Sequence, residues 1–153
     1  MKPTGMQGWD IVVDTNIIFS FLMTGNPTIS AVLRYIIKEH HLLLSSYIVE
    51  ELQEKIAEKL PEKLLDLQAF LEQPNLRILE SSGDWTKDAD IFLRDTNDRP
   101  ILALAMKEAD ALVTGDHDFL HMKGKEKLPF AILSVEDFVR IFGYAGLNRY
   151  LAI

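Results

Sequence analysis

Two aspartates in this sequence stand at the ends of apolar runs, Asp14 directly after Ile11-Val12-Val13 and Asp116 after "ALVTG". Asp118 follows Asp116 across His117. Further acids open amphipathic stretches: Glu50 and Glu51 in "SSYIVEEL", and Asp98 in "DTNDRPILALA". Carboxylates gathered within a few ångströms repel one another and hold their protons more tightly. Divalent cations relieve that repulsion. An all-oxygen donor set with room for water suits Mg²⁺ or Mn²⁺, which also bind phosphate oxygens. A pair of such ions can activate water and steady the leaving oxygen of a phosphodiester. Each acid also has a plainer use. Asp14 could cap a turn, Asp98 a helix, and Asp116 or Asp118 a short helix over 119–122. Glu50 or Glu51 could answer a helix dipole. The choice depends on whether the chain brings the acids to one place.

The apolar β-branched run at 11–13 suits a strand buried on both faces. Ile29, Val32, Leu33, Ile36 and Ile37 recur at helical spacing behind the start signal Asn26-Pro27-Thr28. "HLLLSS" (41–46) predicts a second strand, with Ser46 as N-cap of a helix whose apolar face carries Ile48, Val49, Leu52, Ile56 and Leu60. Pro61 ends that helix or starts the next, which holds Leu64, Leu65, Leu67 and Leu71. Residues 75–81 predict a third strand, and in the polar stretch 82–97 "DADIFLRD" is a candidate short helix. A helix runs from Asp98 with Pro100 in its first turn. Strands at 111–116 and 130–134 follow, then a helix capped by Ser134 and stopped at Gly143.

Strands alternating with helices predict a parallel sheet with helices on both faces, a three-layer α/β/α architecture. At 153 residues the chain fits one domain over 1–153, with 1–8 a candidate disordered start and 143–153 a C-terminal tail. In such folds ligands bind at the carboxyl ends of the strands. Asp14, Glu50 or Glu51, Asp98 and Asp116 all map to that rim, a coincidence that separate capping roles do not predict.

The net charge of −7 argues against a protein that grips nucleic acid by overall charge, but it does not exclude a nuclease whose bound cations reverse the local field. The lack of cysteine removes disulfides, thiolate metal sites and thiol nucleophiles. Neither a membrane span nor an apolar signal segment is visible, which fits a cytoplasmic protein.

"IVVDTNIIFS", "SSYIVEEL", "DTNDRPILALA" and "ADALVTGDHDFL" resemble, in order and content, the motifs of PIN-domain nucleases. The likeness is to the prokaryotic VapC-like ribonucleases of toxin–antitoxin pairs, and it runs from about Ile11 to Phe138. It implies a five-stranded parallel sheet ordered 3-2-1-4-5 and metal-dependent cleavage of single-stranded RNA. By the same resemblance Asp14, Asp98 and Asp116 match three motif acids, and Asp118 a less uniform fourth-motif acid. Asn16 and Thr114 match small polar positions that orient the acids. Helical periodicity does not separate Glu50 from Glu51; the family places its glutamate directly before an apolar residue, which selects Glu51. Asp14, Glu51, Asp98 and Asp116 are then the catalytic set. Together with Asp118 they are the expected ligands of one or two Mg²⁺ or Mn²⁺ ions. In-line attack of water would leave 5′-phosphate and 3′-hydroxyl ends.

Arg94, Arg99, His117, Lys123, Lys125 and Lys127 flank the motifs and are candidates for RNA phosphate contacts, although "KGKEK" (123–127) is more ordinarily a solvated loop. His117 and His121, with no third ligand near, read as surface residues. The resemblance also implies a homodimer and an antitoxin partner, for which Phe19, Phe21, Leu22, Leu60 and Leu64 are a spare apolar inventory. Two other readings compete. One is a non-catalytic PIN-like RNA- or protein-binding module. The other, a phosphoacceptor receiver domain, needs an acid pair after strand one and a lysine after strand five, and the sequence has neither.

Overall fold

The computed structural model describes residues 8–80, 99–124 and 127–151. Strand β1 (Asp10–Val13) is central, paired on one side with β2 (His41–Ser45) and on the other with β4 (Ala111–Val113). β3 (Leu76–Leu79) lies outside β2, and β5 (Ala131–Leu133) outside β4. All pairings are parallel, and the order is 3-2-1-4-5, as expected. A parallel sheet covered on both faces demands apolar side chains at successive positions. Residues 11–13, 42–44 and 111–113 meet that demand; all are buried.

Helices α1 (Thr15–Thr24) and α2 (Pro27–Glu39) connect β1 to β2. The next crossover is α3 (Ser46–Lys59), a 3₁₀ turn at Pro61–Lys63 and α4 (Leu64–Leu71). α5 (Arg99–Glu108) leads into β4, α6 (His117–Leu120) follows it, and α7 (Val135–Phe142) follows β5. Parallel crossovers are right-handed. The reversal of direction between β3 and β4 therefore sends α5 to the face opposite α2, while α7 returns to pack on α2. The candidate helix "DADIFLRD" lies outside the described residues.

Several local signals act as expected. Asn26 caps α2 by accepting from the N–H groups of Thr28 and Ile29, with Pro27 in the first turn. Ser134 and Asp137 form a reciprocal capping box on α7. Lys123, the Ser134 N–H and Arg140, in that order of effect, hold the Asp137 carboxyl well below the usual range. Two differences stand out. Helix α1 carries only a thin sequence signal: its polar side is a stripe of small residues, Asn16, Ser20 and Thr24, against an otherwise apolar "NIIFSFLM". The cap of α3 is Ser45, not Ser46: the Ser45 hydroxyl accepts from the Ile48 N–H at 3.1 Å. β2 thus passes into α3 without a loop, and this fixes the start of α3 at the rim of the sheet.

α7 stops at Gly143, its C-cap, as expected, but the chain does not. It continues through a π-type turn (Gly143–Leu147) into α8 (Asn148–Leu151), which packs on α2 with Leu147 fully buried. Gly146, at φ 132°, makes the bend between them. Ser45→Ala should cost about 1 kcal/mol of unfolding free energy in urea, as for a lost N-cap. An unchanged urea midpoint in Ser45→Ala would contradict the observed cap.

Candidate active site

Asp14 leaves β1 at the seam with β4, where its N–H donates to the Val113 carbonyl at 3.0 Å. Its side chain is almost wholly buried, with the residue 3% exposed. Oδ1 caps α1 by accepting from the Asn16 N–H at 3.3 Å, and Oδ2 accepts from the Thr114 hydroxyl at 2.8 Å. Thr114 is fully buried and is tied to β5 through its N–H, which donates to the Leu133 carbonyl at 2.9 Å. The same Thr114 hydroxyl accepts from the Asp116 N–H at 3.0 Å. Asp116 Oδ1 in turn accepts from the Asp118 N–H at 2.9 Å, capping α6. One hydrogen-bonded path thus joins the two strand-end aspartates through a threonine whose donor and acceptor roles are both used.

Asp14 and Asp116 line a cleft of about 550 Å³. Asp14, Asn16 and Asp116 form its strand side, α3 contributes Glu51, Glu54, Lys55, Glu58 and Lys59, and Ile101 of α5 closes it. Glu51 faces the cleft, whereas Glu50 is exposed and does not line it. Glu54, Lys55, Glu58 and Lys59 were not anticipated, although their spacing of three, four, seven and eight residues from Glu51 marks one helix face.

Burial pushes the Asp14 carboxyl up from its ordinary value of 3.8. The Thr114 and Asn16 hydrogen bonds pull it back; Asp116 raises it and Lys55 lowers it. A desolvated carboxylate beside a second one is a group that a cation stabilises. The oxygen-only donors Asp14, Glu51 and Asp116 fit a hard divalent ion in kind. Among the described residues, however, no three His, Cys, Asp or Glu side chains converge closely enough to form a metal site. Asp98, the fourth expected acid, lies outside the described residues, as do Arg94, Lys125 and the side chain of Arg99.

Other expected contacts fall elsewhere. Asp118 is exposed and contributes its N–H, not its carboxylate, to the Asp116 cap. His117 is the exposed first residue of α6 rather than a residue before it. Lys123 is paired with Asp137 and does not line the cleft.

The PIN-domain family model matches residues 11–125, well over half of the chain. The chain belongs to the PIN-domain family. The PIN fold is shared with VapBC2 from Rickettsia felis, a structure bound to a DNA fragment from its promoter. That likeness has a TM-score of 0.65 at 19% identity, over 82% of this chain and 98% of that one. DNA-bound VapBC from Salmonella typhimurium gives a TM-score of 0.59 at 17% identity, over 83% of this chain and 98% of that one. At such identities the likeness is one of fold. No curated protein matches the sequence.

The raised Asp14 carboxyl has a definite linkage sign. Folded Asp14 keeps its proton to higher pH than the unfolded chain does. Stability is therefore lost as pH rises from about 3.8 through the folded value, and the penalty is complete above it. Asp14→Asn keeps a competent N-cap and removes the penalty. Its melting temperature should exceed that of the wild type at pH 7, and the gap should close towards pH 4. A gap that does not shrink on acidification would show that Asp14 is not held against its charge.

Proposed function

We propose that this PIN domain is a divalent-metal-dependent endoribonuclease acting on single-stranded RNA, and the toxin of a toxin–antitoxin pair. The observation that carries the reading is the hydrogen-bonded Asp14–Thr114–Asp116 assembly on the carboxyl rim of the sheet, opposite Glu51. A bound Mg²⁺ or Mn²⁺, as one or two ions, would neutralise the clustered carboxylates and supply Lewis acidity towards phosphate and water. Asp14, Glu51, Asp116 and Asp98 are the proposed holders, with Asp118 more peripheral.

The chain's own groups do the positioning. Thr114 keeps Asp14 Oδ2 in one orientation, and the backbone of α1 holds Oδ1. Both Asp14 oxygens are therefore fixed before any ligand arrives, which lowers the reorganisation needed for charge stabilisation. Water attacking phosphorus in line would break the bond to the 3′ oxygen, leaving 5′-phosphate and 3′-hydroxyl ends.

An antitoxin segment and a second copy of the chain are proposed partners. Phe19 and Leu22 of the spare apolar inventory are buried in the core. Phe21 and Leu22 also line a cavity of about 650 Å³ between α1, α2 and α4, with Met23, Ile37 and Phe70 as further apolar walls. That cavity carries no cluster of acids and is separate from the cleft. No single described helix is long and apolar enough to cross a membrane. The apolar pair α1–α2 is bent by 119° and contributes much of its surface to the core.

Purified protein should cleave mixed-sequence single-stranded RNA with Mg²⁺ or Mn²⁺ and stop with EDTA. Thr114→Val, which frees a held carboxylate, should cost about 10–100-fold in rate, and Asp14→Asn more. Saturating Mn²⁺ at about 100 times its Kd should stabilise the wild type by about 2.7 kcal/mol and leave Asp14→Asn nearly unmoved. Equal cleavage by wild type and Asp14→Asn, purified identically, would remove the claim. Binding of RNA without cleavage in any metal would instead favour a non-catalytic module.

A further inference from the structure

The cleft poses an electrostatic problem for the reading above. Asp14, Asp116, Glu51, Glu54 and Glu58 present five carboxylates to a polyanionic strand, in a chain of net charge −7. Among the described residues, the cations lining it are Lys55 and Lys59. At about 100° per residue, Glu54, Glu58, Glu51, Lys55 and Lys59 follow one another in that order around α3. The cleft-facing arc therefore grades from an acidic edge to a basic one. The contacts of Lys55 show where the basic edge lies: it faces α1. Lys55 Nζ donates to Asn16 Oδ1 at 3.1 Å and sits 4.3 Å from the centroid of the Phe19 ring.

We propose that Lys55 is a substrate-binding residue, parked on Asn16 and Phe19 until it takes a phosphate of the RNA strand entering between α3 and α1. The inference rests on the nuclease reading. Neither holding group neutralises the ammonium: one is a side-chain amide oxygen, the other the face of an aromatic ring. An ammonium has three donors, so it can donate to a phosphate oxygen without leaving the face of the Phe19 ring. Asn16 is itself exposed, and it is the residue whose N–H holds Asp14 Oδ1. A strand bound by Lys55 therefore passes beside the buried aspartate rather than through the acidic edge of the cleft. Lys59 lies one turn further out, about 6 Å along the helix axis, on the same side.

The test is binding of a fluorescent single-stranded RNA to the full chain in Ca²⁺, across a salt series, beside steady-state cleavage in Mn²⁺. Lys55→Met keeps the apolar stem on Phe19 and removes the charge, Lys55→Gln serves if the first variant melts early, and Lys55→Arg restores the charge. We expect five- to ten-fold weaker binding for Lys55→Met at roughly 0.1 M salt. Its slope of log affinity on log salt should be shallower by about 0.7, the change expected when one phosphate of a single strand is no longer neutralised. KM should rise with kcat nearly unchanged, and Lys55→Arg should recover the wild-type slope. A merely structural lysine would lower the melting temperature without altering the slope. If the wild type cleaves RNA and the slope is unmoved in Lys55→Met, the inference falls while the nuclease reading stands. If RNA binds with a Lys55-dependent slope but is never cleaved, the phosphate contact stands and the nuclease reading falls. A wild type that binds no RNA overturns both.

Discussion

The hydroxyl of Thr114 reaches Asp14 Oδ2 at 2.8 Å across the seam between β1 and β4, and the geometry of the site depends on that bond. A carboxylate so deeply buried must be charged to bind a cation, and burial opposes the charge. The fold answers with hydrogen bonds to the ionised form, one from Thr114 and one from the Asn16 N–H at the start of α1. Those bonds require exact backbone placement: β5 holds Thr114 through Leu133, and β4 holds Asp14 through Val113. Three adjacent strands therefore converge on one side chain. This is why a sheet built from short, wholly apolar strands is suited to present a polar site at its edge.

The α3 helix supplies what the sheet cannot. Strand ends deliver single residues, whereas a helix starting at the rim delivers a column at three- and four-residue spacing. Because Ser45 ends β2 and caps α3 at once, Glu51 and Lys55 reach the cleft on successive turns with no loop to blur their height. That column carries an acidic edge, Glu54 and Glu58, and a basic one, Lys55 and Lys59, along the same cleft.

Much of the sheet was legible from residue order alone. β-branched and leucine-rich runs located the strands to within a few residues at either end, because buried parallel strands leave little alternative to continuous apolar sequence. The rim position of Asp14 and Asp116 follows from the same reading, since each succeeds such a run. What escaped did so for identifiable reasons. α1 gives its period away only through Asn16, Ser20 and Thr24, three short polar side chains that contrast weakly with the apolar rest. Two serines in tandem, Ser45 and Ser46, are equivalent as caps until the register of β2 is known. Asp116 and Asp118 were equally good candidates to cap α6; the Thr114 hydroxyl decided for Asp116 by drawing its N–H inward. Lys55 carries no local motif, and its place beside Asn16 arises only when α1 and α3 meet.

Asp14 and Thr114 lie 100 residues apart in sequence, and β4 joins β1 beside a β5 that ends at Leu133. Contacts of such separation form late, because loop closure must precede their reward. During synthesis the chain emerges from its N-terminus, so β1, α1 and α2 can fold while the partner of Asp14 has not yet been made. The first aspartate therefore waits, capped but unpaired across the seam, for most of translation. A chain that stops short of β4 lacks the Thr114 half of this assembly altogether.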